Sequence, residues 1–138
     1  MHSPSEWFVG ALLVAVGAAV GTPARFLVSG LVARRFGETF PWGTLVVNVS
    51  GCAVMGAVGC FAFLRDLASD SAFALVVATG FLGSYTTVSS FALQTRALVR
   101  DGEGRLALGY VALSLLSCLG AVAGGFALAG AVLGGVAG

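Results

Sequence analysis

The chain has 138 residues, 58% hydrophobic and only 9% charged, with a net charge of +1. Its mean hydropathy of +1.01 is far above ordinary soluble usage and excludes a soluble domain with a charged surface. Charges sit in short islands, and the uncharged runs between them are Trp7 to Ala24, Thr39 to Leu64, Ser71 to Thr95 and Leu106 to Gly138. Each holds roughly the 20 apolar residues that a helix needs to cross a bilayer. We expect an all-α membrane protein of one domain, 1–138, with four transmembrane helices over about 7–31, 40–64, 72–95 and 106–133.

The tract after Glu6 is long for the apolar core of a signal peptide, and Arg25 stands where a cleavage site would be expected. It reads as a retained first helix, with a GxxxG in "GAAVG" (17–21) suited to close helix packing. His2, the only histidine, supports neither catalysis nor metal binding. "ARRFGETFP" (33–41) leads to the second helix, where Asn48, Cys52, Gly56 and Cys60 recur every four residues and share a face. A buried amide has up to four hydrogen-bonding positions and hydrocarbon satisfies none. Asn48 therefore either bridges to a neighbouring helix or lines a narrow polar path.

"RDLASDS" (65–71) leads to the third span, whose centre reads "GFLGSYTTVSSF" (80–91). Glycines 80 and 83 followed by consecutive hydroxyl residues weaken a regular helix. A break at membrane depth is tolerated where the freed backbone is buried in protein or lines a cavity. Its carbonyls would then face a cation, and its amides and hydroxyls an anion. The other reading is an intact helix whose hydroxyls bond back to their own carbonyls. "RALVRDGEGR" (96–105) leads to the last helix, which carries a small stripe, Ser117, Ala121, Gly125 and Ala129, beside a more polar one, Tyr110, Ser114 and Cys118. Cys52, Cys60 and Cys118 read as small packing residues, with no disulfide framework and no metal-ligand spacing.

All seven basic residues are arginines. Arg25, Arg34, Arg35, Arg96, Arg100 and Arg105 lie at or near the first and third connections, and Arg65 alone lies at the second. By the positive-inside rule the arginine-rich side is cytoplasmic and both termini are extracytoplasmic. No span has Asp, Glu, Lys or His at its centre. That disfavours a proton-coupled exporter, which needs an ionisable group in the membrane. Without a catalytic dyad or a metal-ligand cluster, an enzyme is not expected either.

Three motifs in order carry a resemblance over nearly the whole chain. "GAAVGTPARF" (17–26), "GTLVVNVSGCAVMG" (43–56) and "GFLGSYTTVSSF" (80–91) resemble those of the fluoride channels of the CrcB (Fluc) type. The resemblance implies a passive fluoride channel in the cell membrane that exports cytoplasmic fluoride and so relieves its toxicity. It implies an antiparallel dimer, a third helix broken near its centre and a central structural sodium ion at the dimer interface. The sodium would be held by the backbone carbonyls of Gly83 and Thr86. The ion pathway implied is Asn48, Ser89, Phe91, Tyr110 and Ser114, with Arg25 near the cytoplasmic vestibule. Fluoride is strongly hydrated, so donors must replace its water, and a ring edge such as that of Phe91 favours an anion. No other cofactor and no nucleic acid is expected.

The chain departs from the family pattern at Val88, in place of the first phenylalanine of a pair, at Ser84, in place of the second glycine of the break, and at Gln94, where glutamate is common. Thr22, Pro23 and Phe26 alter the first motif. The arginine bias argues for one orientation, so we expect pairing with a homologous subunit of opposite orientation, with a homodimer as the other precedent. Competing readings are a small-solute exporter of the antiparallel four-helix type and a non-conducting membrane adaptor.

Overall fold

The structure, a computed structural model, describes residues 3–37, 39–67 and 71–136. His2, part of the second connection and the last two residues of the chain lie outside the described residues.

Four helical stretches are long and apolar enough to cross a membrane. Helix α1, Pro4–Phe36, opens with a capping box in which Ser3 Oγ accepts from the Glu6 amide and the Glu6 carboxylate accepts from the Ser3 amide. Helix α2 spans Trp42–Leu64. The third crossing is composite: a π-helix, π1, Ala74–Leu82; a single turn, α3, Gly83–Tyr85; and α4, Val88–Arg100. Helix α5 spans Gly104–Val136.

Two connections are shorter than the charge islands suggest. "ARRF" continues α1 and "RALVR" continues α4. Arg34, Arg35 and Arg100 each stand in the last turn of a helix, where the negative end of the helix dipole favours cations. The turn into α5 is only Asp101 to Glu103, with Gly102 at φ 83°, a left-handed conformation that glycine adopts without strain.

The axis of the third crossing is bent by only 15°, so the axial break anticipated from the sequence is not seen. The departure from helix is confined to Thr86 (φ −76°, ψ 161°) and Thr87 (φ −151°, ψ 124°), which are extended.

Small residues set the packing. Gly17 and Gly21, the buried residues of α1, lie against π1 and α3. A Cβ on Gly17 would run into the Val76 carbonyl, and one on Gly21 into the Phe81 carbonyl and Ser84 Oγ. Helices α2 and α5, which run parallel, touch backbone to backbone: a Cβ on Gly56 would meet the Val122 carbonyl, and one on Gly125 the Ala53 carbonyl. The GxxxG and the Asn48–Cys60 stripe are thus the packing faces, as their spacing suggests. From the other small stripe, Gly125 joins the contact. Large apolar side chains such as Phe8, Val20, Phe26, Leu116 and Leu128 face outward.

Candidate functional site: a polar seam at the third crossing

The seam begins at Asn48. Its Nδ2 donates to the Thr87 carbonyl at 2.9 Å, and its Oδ1 accepts from the Thr87 amide at 2.8 Å. One turn along α2, Gly51 has no side chain because Thr86 and the Tyr85 ring occupy that space. Asn48 and Gly51, three residues apart, therefore receive Thr87 and Thr86 in turn. Of the two roles open to Asn48, bridging is the one seen, while its second Nδ2 hydrogen is not used in this pairing. Ser50 adds a contact to Tyr85 Oη at 3.0 Å, and Tyr85 stacks on Phe81 with ring centroids 5.9 Å apart.

These bonds redirect two amides. In a regular helix the Thr87 amide would bond the Gly83 carbonyl, and the Ser90 amide that of Thr86. Instead Thr87 donates to Asn48, and Ser90 donates to Thr87 Oγ1 at 3.2 Å, a side-chain cap for α4. The carbonyls of Gly83 and Thr86 lose their helical donors. Ser84 does not fill that gap, because its hydroxyl turns back to the Phe81 carbonyl at 3.1 Å, beside Gly21.

On one side of α4 lies a cavity of about 310 Å³ lined by Arg25, Ser29, Thr44, Thr87, Ser89 and Ser90 among others. An anion there meets a guanidinium, several hydroxyls and the positive N-terminal end of α4. Arg25 and Ser89 are thereby brought together, next to the residue that Asn48 holds. Ser89 Oγ is 3.2 Å from Thr87 Oγ1.

Tyr110, Phe91 and Ser114 form a separate cluster between α4 and α5. Tyr110 is fully buried; its ring lies 5.2 Å from that of Phe91, and its hydroxyl donates to Gln94 Oε1 at 3.2 Å. Phe40 meets Tyr110 edge to face at 5.4 Å and 88°. Ser114, one turn beyond Tyr110, is buried, and its Oγ has no partner among the described residues. Val88 is 79% exposed. A second cavity, of about 490 Å³, is lined by Gln94, Asp101, Glu103 and Thr39 among others, towards the arginine-rich end.

Sequence reasoning missed Thr87 as the partner of Asn48, Ser50 as the partner of Tyr85, and Phe40 as the cover of Tyr110. For Thr87, its place directly before an apolar-periodic run, as a Thr cap, was a usable signal. Among the described residues no group of three His, Cys, Asp or Glu side chains could hold a metal ion. A cation in this region would instead meet main-chain or neutral oxygens.

A family model described as CrcB-like protein, Camphor Resistance (CrcB), matches residues 12–126. The chain is 57% identical over 125 residues to "Fluoride-specific ion channel FluC 2" of Rhodopseudomonas palustris (strain BisB18), covering 90% of this chain and 95% of that one. It is 51% identical over 122 residues to "Fluoride-specific ion channel FluC 2" of Bradyrhizobium diazoefficiens, covering 87% and 88%. To "Fluoride-specific ion channel FluC 4" of Brucella abortus biovar 1 it is 52% identical over 116 residues, covering 83% and 87%.

Proposed function

The chain belongs to the CrcB-like family, and from that premise we propose that it is a subunit of a passive fluoride-selective channel exporting fluoride from the cytoplasm. The observation that carries this reading is the seam itself: an arginine, several hydroxyls and a half-helix N-terminus on one cavity, with no titratable group needed for transfer. A dehydrating fluoride ion requires dense donors, and Arg25, Ser89 and the free hydrogen of Asn48 supply them. Phe91 and Tyr110 extend the path, with Ser114 Oγ as a further hydroxyl that has no partner in the subunit.

The carbonyls of Gly83 and Thr86 suit a structural sodium ion, because Asn48 and Thr87 divert their helical donors. Bound there, sodium would supply fixed positive charge that offsets the cost of an anion in low dielectric. The chain's own part is to keep both carbonyls free: Asn48 takes the amide that would serve Gly83, and Thr87 Oγ1 the amide that would serve Thr86. A sodium site built from so few oxygens calls for a second subunit, which we take to be an antiparallel partner. The arginine bias favours a homologous chain of opposite orientation, with the arginine-rich side cytoplasmic in the cell membrane and both termini outside.

Fluoride efflux from vesicles containing the chain purified together with its partner subunit, followed with a fluoride-selective electrode, tests the reading. Efflux that chloride does not share, and that Asn48→Ala abolishes, is the expected result. Absence of fluoride-selective efflux would remove the channel assignment, and efflux unaffected by Asn48→Ala and Phe91→Ile would remove this seam as its path. Robust efflux by the chain alone would remove the need for a second gene product.

A further inference from the structure

Helix α1 has 33 residues, about 50 Å at its rise per residue, and so outreaches a hydrocarbon core of about 30 Å. Its arginine-bearing last turn emerges at the level of the headgroups. Leu27, Leu31 and Arg35 are four apart, share one face of the helix and are all exposed. Arg34 beside them is exposed too. The Arg35 guanidinium lies 5.8 Å from the centre of the Phe36 ring, and that ring lies 6.3 Å from Trp42 at the start of α2. Both rings reach the surface. A Cβ on Gly43 would meet the Ser29 carbonyl, so α1 and α2 are held together directly beside Trp42. The layers run from two cations through two interfacial rings to two leucines, the order in which a phospholipid presents phosphate, glycerol and acyl chain. The two arginines outnumber Glu38, the one acid of this connection, which lies outside the described residues. Arg100 and Arg105, by contrast, are matched by Asp101 and Glu103 between them.

We propose that this end of α1 is a binding site for an anionic phospholipid, with the lipid phosphate on Arg34 and Arg35 and its acyl chains along Leu27 and Leu31. Guanidinium forks match phosphate oxygens in geometry and charge. A zwitterionic lipid brings an ammonium group beside its phosphate, which the arginines repel, so net negative charge decides the occupant. The last carbonyls of α1 oppose an anion, and binding therefore depends on both arginines together. An arginine close to an anionic bilayer surface strengthens binding by about fivefold, which sets the least preference expected. The site lies apart from the polar seam and does not depend on which ion the protein conducts.

The test uses the full-length Trp7→Phe chain, in which Trp42 is the only tryptophan left. It is placed in mixed vesicles of phosphatidylcholine and phosphatidylglycerol, one of the two lipids carrying bromine near the headgroup end of its acyl chains. Bromine quenches tryptophan on contact, so the two sets of vesicles give the relative binding constant of the lipids at Trp42. The expected result is a preference for phosphatidylglycerol of at least about fivefold. Arg34→Gln/Arg35→Gln should bring the ratio close to one, while Arg100→Gln/Arg105→Gln should leave it unchanged. A ratio near one in the chain with both arginines would overturn the proposal. So would a preference that survives Arg34→Gln/Arg35→Gln, or one that Arg100→Gln/Arg105→Gln removes equally. Trp42 unquenched by either lipid would mean that a second protein chain covers this face, and would overturn it as well.

Discussion

Asn48 grips the main chain of Thr87 at both its amide and its carbonyl, at 2.8 and 2.9 Å, across 39 residues of sequence. A single side chain thus takes the amide that would otherwise serve the Gly83 carbonyl and holds the extended residue between α3 and α4.

Asn48→Ala leaves a part-buried amide and carbonyl of Thr87 without these partners. Each unpaired group costs on the order of 1–3 kcal/mol. We expect fluoride efflux to fall to background and the melting temperature in detergent to drop. Asn48→Asp keeps an acceptor for the Thr87 amide but sets a carboxylate oxygen against the Thr87 carbonyl in low dielectric, and should be at least as destabilising as alanine.

Sodium should raise the melting temperature of the native chain relative to N-methylglucamine at equal ionic strength. Stabilisation by a ligand reaches about 2.7 kcal/mol at a hundredfold excess over Kd. In Asn48→Ala the Thr87 amide is free to return to the Gly83 carbonyl, so the sodium effect should shrink. An equal sodium effect in both proteins would count against the carbonyl site.

Phe91→Ile removes the ring packed on Tyr110. Loss of an aromatic pair is worth about 0.5–1.5 kcal/mol beyond burial, so the fold should persist. Efflux should nevertheless fall at least tenfold. Val88→Phe, at an exposed position, should leave the melting temperature unchanged, and thermal denaturation alongside the flux assay distinguishes the two.

Gly125→Ala drives a methyl into the Ala53 carbonyl, a backbone atom with little room to move. Overpacking of this kind costs about 1–3 kcal/mol. Gly109→Ala, with nothing within 4 Å of the added carbon, should instead be neutral or stabilising by up to about 1 kcal/mol. Melting temperatures of both variants check the contrast.

Much of this was legible beforehand because the bilayer allows few solutions. Charge islands located all four crossings, and glycine spacing at 17 and 21 and at 56 marked faces that the structure buries. Helix ends were less legible, since arginines in a final turn are compatible with both helix and loop. Residue type and position mark Thr87 as a helix cap, but nothing in them announces a backbone partner, so its pairing with Asn48 was not legible. The π-helical pitch of 74–82 was equally hidden, because it is a choice of carbonyl one residue further back.

The third crossing changes neighbours as it passes through Thr86 and Thr87: its first half lies on α1, and its second half lies on α5. The two extended residues are thus the point at which the third crossing passes from one neighbour to the other, and Asn48 of α2, holding both polar groups of the Thr87 backbone, ties that point to the rest of the bundle.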